Sequence, residues 1–375
     1  MKNKKYFDLY IFFSAFSRNL IEVFIGTILL KSGFVFKEVI YFFFLFNLFS
    51  LLLSVPFTFI AKKYSNRILA LISAIFFGIL QLVLANLKPI RGYLYLIAII
   101  YAIYRRSYWM SRRFFVLEMT PNKDISKNYS IVSILNQIGI IAATYLGAFI
   151  LDFVSVKILT IAAIILSFIG TFFLWKLKLP NNKKENKIEI INTIKKTPRL
   201  FIIRLGCYET ISVISFLMPL YIFMYVKNTY SMIGFVNILV CLPTLVFTYL
   251  YGKVINDKKN YLKLSVFFIV MINILKVNTM GIFLFIVSFI EGFIKKMYEQ
   301  SFYKEYLIMS KKYDYHNYNM MFEIFQNIFK MILSFILLVF INDLKVMIYI
   351  TLFVVSLPLL FNTKDYNNKI FENIN

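Results

Sequence analysis

The feature that most constrains this 375-residue chain is the recurrence of apolar segments about 20 residues long from end to end. A helix rises 1.5 Å per residue, so about 20 residues cross a hydrocarbon layer roughly 30 Å thick. Hydrophobic residues make up 60% of the chain, more than a soluble domain can bury in one core. We therefore predict an all-α membrane protein with twelve transmembrane helices. Their ranges are 9–31, 38–61, 68–87, 93–118, 129–150, 155–175, 200–225, 230–252, 260–276, 279–303, 317–340 and 344–361.

The distribution of basic residues predicts the orientation of the chain in its membrane. With the N-terminus inside, cytoplasmic segments hold 25 Lys and Arg residues and outside loops hold eight. Such a bias favours a cytoplasmic location for both termini. The formal charge of +24 is thereby explained by topology and by anionic lipid, and we expect no nucleic-acid partner. The abundance of Lys, Asn, Ile, Phe and Tyr suggests an AT-rich bacterial genome, and hence the inner (cell) membrane.

A long polar stretch near the midpoint predicts two domains. Residues 176–199 form a basic cytoplasmic linker between six spans in 1–175 and six in 200–375. The linker is either solvated throughout or contains a short amphipathic helix, IEIINTI, on the membrane surface.

The two parts are related by an offset of 190 residues. At this shift Arg105-Arg106 fall on Lys295-Lys296, and an Asn-Gln pair at 136–137 falls on a Gln-Asn pair. A dibasic pair and an amide pair that align at one shift indicate an internal repeat. We therefore predict two pseudo-symmetric six-helix bundles with a substrate site between them.

Four arginines lie within the fourth predicted span. At 100° per residue, Arg105, Arg106, Arg112 and Arg113 share one helix face about 120° wide. Arginine facing lipid costs a few kcal/mol, so we expect this face to line a hydrated cavity. For Arg112 and Arg113 the alternative is that both snorkel to phosphates at the helix end. The arginines need a counter-ion from another helix or from a substrate.

The tenth predicted span also carries charge within the membrane. Glu291 and Glu299 flank Lys295 and Lys296 at helical spacing, so an internally compensated helix is one interpretation and a cavity role is the other. Similarly, Arg18 lies four residues from an acid in the first span. The acids available for proton coupling are Glu22, Glu209 and Glu323, and each is alternatively a permanent salt-bridge partner.

Two loops carry the remains of a known motif. The stretch TFIAKKYSNR contains Lys62, Lys63 and Arg67, and GKVINDKKN contains Gly252 and Asp257. With these loops and its two six-span halves, the sequence resembles the major facilitator superfamily. The resemblance implies gating loops that latch helices on the cytoplasmic side. The first loop lacks the family's Gly and Asp.

The resemblance also implies that the first, fourth, seventh and tenth helices line a central cavity that opens alternately to each side. These four helices hold most of the intramembrane charge, with a positive excess suited to carboxylate or phosphate. We therefore expect a secondary transporter of a small anionic or zwitterionic solute. Its predicted substrate-binding residues are Arg18, Arg105, Arg106, Trp109, Arg204, Lys295 and Lys296.

Other functional classes remain as alternatives. The protein could export a peptide or a lipophilic compound, or it could be a scaffold or receptor that transports nothing. An enzyme is not expected, because the chain has one histidine, His316, and no HExxH motif. The sequence offers no metal site and no cofactor motif, and we expect a monomer.

Overall fold

In the computed structural model the described residues are 2–119, 125–177, 190–197, 199–254, 261–312 and 315–360. Within these ranges the chain is helical and contains no β-strand. The α-helices are α1 (Lys2–Asn19), α2 (Ile25–Lys31), α3 (Phe36–Lys63), α4 (Asn66–Ala85), α5 (Arg91–Met119), α6 (Ile125–Phe153), α7 (Val156–Trp175), α8 (Ile190–Lys196), α9 (Arg199–Glu209), α10 (Ile211–Tyr221), α11 (Tyr230–Val254), α12 (Leu262–Asn278), α13 (Ile282–Lys312), α14 (Tyr315–Phe340) and α15 (Leu344–Ser356).

Eight helical segments in the described part of the chain are long and apolar enough to cross a membrane. They coincide with eight of the twelve predicted spans. The segments are Asn3–Lys31, Phe36–Lys63, Asn66–Ala85, Tyr129–Phe153, Val156–Trp175, Ile202–Val226, Tyr230–Leu250 and Tyr315–Phe340.

The other four predicted spans depart from this pattern for two physical reasons. Helices α5 and α13 are 29 and 31 residues long, but ionic side chains in their middles lower their apolarity. Helix α12 and the apolar segment Leu344–Leu360 are short. A count by length and apolarity therefore stops at eight.

Apolar side chains cover the outside of the molecule. Leu52, Phe149 and Ile161 are exposed, whereas Asn47 and Asn273 are buried. A water-soluble protein shows the opposite arrangement, with large apolar patches hidden and polar groups outside. The surface is therefore suited to lipid, and the polar side chains are collected inside.

Two predicted spans are interrupted at matching places. The first breaks after Asn19, where a turn leads to a short 3-10 helix (Glu22–Phe24), and the seventh breaks at Thr210. The prediction of continuous helices is wrong at these points. The turn residue Leu20 and Thr210 are 190 residues apart, which is the offset of the internal repeat.

Close backbone packing accompanies the first break. The Leu20 carbonyl oxygen lies so near Gly147 of α6 that a Cβ added at Gly147 would be 2.3 Å from it. Only glycine leaves room for this approach.

Helices from the first and second parts of the chain pack directly on one another. Helix α6 runs along α11, and α3 runs along α14. Between α6 and α11, the Nδ2 of Asn237 donates to the Thr144 hydroxyl at 3.0 Å. Between α3 and α14, the Nδ2 of Asn47 donates to the Ser334 hydroxyl at 3.1 Å. These contacts hold the two parts together on either side of the interior.

An acidic side chain at the end of α6 adds a third connection. Asp152 accepts hydrogen bonds from the backbone N–H groups of Tyr230 (3.1 Å) and Ser231 (2.7 Å) at the start of α11. The Nζ of Lys31 at the end of α2 lies 3.7 Å from the same carboxylate. One carboxylate thus joins three helices.

The predicted linker is helical in part. Residues Ile190–Lys196 form α8, which packs on α14, with Thr193 buried and Ile191 exposed. The described part of the patch is therefore helical and packs on the protein, whereas its predicted place on the membrane surface stays a prediction. Residues 178–189 and 198 lie outside the described ranges.

Candidate functional site

A cavity of about 510 Å³ lies at the centre of the molecule, between helices of both parts of the chain. Thirteen ionic side chains line it, eight basic and five acidic. The basic ones are Arg18, Arg105, Arg106, Arg112, Arg113, Lys276, Lys295 and Lys330. The acidic ones are Glu22, Glu209, Glu291, Glu299 and Glu323. The lining therefore carries a formal excess of positive charge.

The arginines of α5 reach this cavity because of their helical spacing. Positions i, i+1, i+7 and i+8 fall on one side of a helix, and all four guanidinium groups line the wall. Arg112 and Arg113 are only 5% and 9% exposed. The alternative that they snorkel to the membrane surface is therefore wrong.

Glu22 supplies one of the counter-ions that α5 requires. It sits in the 3-10 helix after the break in the first span. Its carboxylate accepts hydrogen bonds from the Tyr104 hydroxyl (2.7 Å) and from Arg105 (2.8 Å). Arg18, four residues before it, lies 3.8 Å from the same group. The break thus places a carboxylate between α1 and α5.

Glu323 of α14 supplies the second counter-ion. One of its oxygens accepts a hydrogen bond from Arg106 and the other from Arg113. All three residues are buried. Asn319, one turn earlier, also accepts from Arg113 at 3.4 Å. A single carboxylate from the second part of the chain therefore pairs with two arginines from the first, and one positive charge remains.

Trp109 lies among the guanidinium groups. The Cζ atoms of four arginines are within 6 Å of its ring, at distances typical of cation–π contacts. The distances are 4.9 Å for Arg18, 5.1 Å for Arg112, and 5.7 Å for both Arg105 and Arg113. The indole thus gives the positive cluster an aromatic surface.

Lysines on the opposite wall are paired with glutamates. Lys276 of α12 lies 2.5 Å from Glu291 of α13, and Lys330 of α14 lies 3.2 Å from Glu209 of α9. Of the predicted pairings along α13, that of Glu299 with Lys296 is present at 3.1 Å, whereas Glu291 forms its ion pair with Lys276 rather than with Lys295. Sequence reasoning missed Lys276 and Lys330 as cavity residues. The only available signal was the isolated lysine in the apolar run of α14.

Two predicted substrate-binding residues lie elsewhere. Arg204 is 3% exposed and pairs with Glu305 of α13 at 2.6 Å, away from the cavity wall. Lys296 is 1% exposed, donates to the Ser133 hydroxyl of α6 and lies 3.1 Å from Glu299. Their placement on the cavity wall is therefore corrected: buried partners on neighbouring helices hold both cations.

The predicted gating residues make contacts outside the cavity. The Nζ of Lys62 donates to Asn317 of α14 at 3.1 Å, and Arg67 donates to the backbone carbonyl of Leu177. Lys63 lies over the ring of the adjacent Tyr64 at 5.3 Å. Gly252 is near the end of α11, and Asp257 lies outside the described ranges.

Metal coordination finds little support among the described residues. No group of three or more His, Cys, Asp or Glu side chains there is arranged to hold a metal ion. Most of the ionic groups of the cavity are instead arranged as Arg–Glu and Lys–Glu ion pairs.

Solved structures with this arrangement of helices include several transporters. The human organic anion transporter MFSD10 (TETRAN) superposes with a TM-score of 0.69 at 9% identity, covering 96% of this chain and 98% of that one. A mutant of the nucleoside transporter NupG superposes with a TM-score of 0.68 at 13% identity, covering 98% of this chain and 99% of that one. A bacterial homologue of the iron transporter ferroportin, in its outward-facing state with soaked iron, superposes with a TM-score of 0.67 at 12% identity. The superposition covers 99% of this chain and 98% of that one. At such identities the likeness shows the fold.

Sequence comparison gives the family directly. No curated protein matches this chain significantly. The model of the Major Facilitator Superfamily, however, matches residues 8–298, well over half of the sequence. Together with the apolar helices, this match makes the chain a multi-pass membrane protein. It belongs to the major facilitator superfamily, a family of membrane transporters.

Proposed function

We propose that this protein is a secondary active transporter that moves a small anionic or zwitterionic solute by alternating access. The observation that carries the proposal is the central cavity, whose lining has eight cations and five carboxylates. Guanidinium groups in a site of low dielectric constant bind carboxylate and phosphate strongly. A cavity of this size accommodates a small organic molecule.

Ion pairs that join the two parts of the chain supply the switching elements. Glu323 holds Arg106 and Arg113 from the opposite part, and Asp152 holds the start of α11. The cavity opens to one side only when the contacts on that side break. A substrate carboxylate or phosphate that replaces Glu323 at the arginines offsets the cost of separating them.

The proposal includes a definite architecture. Twelve spans form two six-helix bundles, 1–175 and 200–375, joined by the basic linker 176–199. Both termini face the cytoplasm of a bacterial cell, and a monomer in the inner membrane is the working unit. Reporter fusions at the loops test this topology, because the sign of the signal must alternate after each of the twelve spans.

Proton coupling would use the carboxylates of the cavity. Glu22, Glu209 and Glu323 each accept a hydrogen bond from a basic residue, so protonation of any of them would release that partner. Replacement of the coupling residue by glutamine should abolish uptake driven by a pH gradient but retain exchange of solute for solute. Loss of both activities would assign the residue to binding.

Transport itself is tested with purified protein in liposomes. We expect saturable uptake of a radiolabelled solute from a panel of organic acids, phosphorylated sugars and zwitterionic peptides. Arg105→Gln should reduce uptake at least tenfold, whereas Arg91→Gln, at an exposed surface pair, should not. If no solute enters, the scaffold interpretation replaces transport. If Arg105→Gln transports normally, the site is wrong.

A further inference from the structure

Two of the eight cations that line the cavity have no carboxylate partner among the described residues. Six form ion pairs with Glu22, Glu209, Glu291 or Glu323. The two exceptions are Arg112 of α5 and Lys295 of α13, one from each part of the chain. This difference singles them out as the cavity cations that have no carboxylate within ion-pair distance in the described part of the chain.

Arg112 is a buried cation with spare hydrogen-bonding capacity. It is 5% exposed, and among the described residues its guanidinium donates to the Asn136 amide oxygen alone, at 3.1 Å. Its Nε is buried and has no hydrogen-bond partner in the described structure. A buried charge without a counter-ion is costly, and an arginine fork matches a carboxylate or phosphate. Arg112 is therefore prepared to receive an anion.

The contacts of α6 bring Lys295 to the same region. Asn136, which holds Arg112, and Ser133 are three residues apart and so lie on one face of α6. Ser133 accepts a hydrogen bond from Lys296, the residue next to Lys295. Successive residues on a helix point about 100° apart, so Lys296 turns to α6 while Lys295 turns to the cavity.

The acids near Arg112 and Lys295 form their ion pairs with other residues. Glu299 is within electrostatic reach of both Arg112 and Lys295, but its carboxylate lies 3.1 Å from Lys296 and forms an ion pair there. Glu291 also lies within electrostatic reach of Lys295, but it forms its ion pair with Lys276. Two negative charges thus serve four positive ones, on Arg112, Lys276, Lys295 and Lys296. The local excess is two charges.

We propose that Arg112 and Lys295 together form a subsite for a small dianion, such as a dicarboxylate or a phosphate monoester. The inference rests on the proposed function and narrows its substrate class to doubly charged solutes. One acidic oxygen pair meets the Arg112 fork, and the remaining charge meets the Lys295 ammonium. The ligand thereby bridges the two parts of the chain.

Trp109 provides a direct readout of occupancy. The Arg112 Cζ lies 5.1 Å from its ring, so an anion on Arg112 alters the electric field at the indole. The chain has two tryptophans, and Trp175→Phe on the exposed surface leaves Trp109 as the single reporter. Purified Trp175→Phe protein in detergent is titrated with succinate, with methyl phosphate, and with succinamate, which matches succinate in shape but carries one charge.

We expect succinate and methyl phosphate to cause a saturable change in Trp109 emission, and succinamate to bind at least tenfold more weakly. Arg112→Gln and Lys295→Gln should each raise the Kd for the dianions at least tenfold. Arg91→Gln and Lys88→Gln are the matched controls at exposed positions and should leave it within twofold. If Arg112→Gln does not fold, Lys295→Gln, at a half-buried site, decides the question.

The inference is overturned if neither dianion gives a saturable signal, if succinamate binds as tightly as succinate, or if Kd is unchanged in Lys295→Gln. Uptake into liposomes separates this result from the broader proposal. Transport of another solute without dianion binding would support the proposed transporter and reject the subsite. Dianion binding at this pair without transport of any solute would support the subsite and reject the proposed transporter.

Discussion

Arg113 of α5 donates a hydrogen bond to Glu323 of α14, across the cavity and between the two parts of the chain. Arg106 occupies the other oxygen of the same carboxylate. Both guanidinium groups are buried, so loss of the carboxylate leaves two charges that are largely withdrawn from water. The stability of the folded protein should therefore depend strongly on this one acid.

Glu323→Ala should lower the free energy of unfolding by about 3–5 kcal/mol, the usual cost of leaving a buried charge without its partner. Chemical denaturation in detergent, followed by circular dichroism, measures the change. Glu118→Ala removes an exposed acid and should change it by less than about 0.5 kcal/mol. Equal effects from the two variants would show that the buried bridge adds nothing.

Gly147→Ala tests the close approach of α6 to the break in the first span. The new Cβ would lie 2.3 Å from the Leu20 carbonyl oxygen, so the backbone must shift at a cost of about 1–3 kcal/mol. Gly92→Ala is the control, because no atom lies within 4 Å of its Cβ position. Melting temperatures should fall for the first variant only. A fall for both would indicate a general intolerance of alanine.

Asp152→Ala should make the cavity more accessible from the side on which Asp152 lies. Cys241 lines the cavity, and in a Cys207→Ser background it is the only thiol. Its reaction with a membrane-impermeant maleimide should become several times faster when α6 no longer holds α11. Asp343→Ala removes an acid that caps α15 without joining the two parts, and should leave the rate unchanged. Faster labelling in both variants would contradict the role of Asp152 in holding α11 against α6.

Trp109→Leu should destabilise the arginine cluster by about 2 kcal/mol or more, since a cation–π contact contributes about 0.5–1 kcal/mol where it is exposed and about 2 kcal/mol where water is excluded. Trp109→Phe keeps an aromatic face and should therefore lose less stability than Trp109→Leu. Trp175→Leu, on the exposed apolar surface, serves as the control. Thermal unfolding in detergent gives the order of stability, and a Phe variant as weak as the Leu variant would contradict the aromatic role.

The arrangement of α5 could be predicted from sequence because it depends on helical period alone. The spacing of Arg105, Arg106, Arg112 and Arg113 fixes which face they share, whatever surrounds the helix. Such features are properties of one helix, and sequence contains them directly.

Pairings between helices could not be predicted in this way. Glu305, which holds Arg204, is 101 residues away in the chain, and Glu209 finds Lys330 at a separation of 121. The spacing of residues on each helix says nothing of which helix lies opposite. Arg204 was accordingly placed on the wrong surface.

The interruption of the first and seventh spans was also absent from the prediction. Neither Leu20 nor Thr210 is a proline or glycine, so no residue at the break disfavours a helix strongly. The break in the first span depends on the opposing helix α6, because Gly147 leaves room for the displaced Leu20 carbonyl group. Residue-by-residue propensity does not include that partner.

These breaks leave short helical pieces that touch one another. Helix α2 has seven residues and α10 has eleven, which correspond to rods of about 10 and 16 Å. A Cβ at Gly26 of α2 would lie 3.1 Å from the Leu220 side chain of α10. Each piece follows the break in its span and packs against its counterpart. A small tilt at either break would therefore separate α2 from α10 without moving a full-length helix through the lipid.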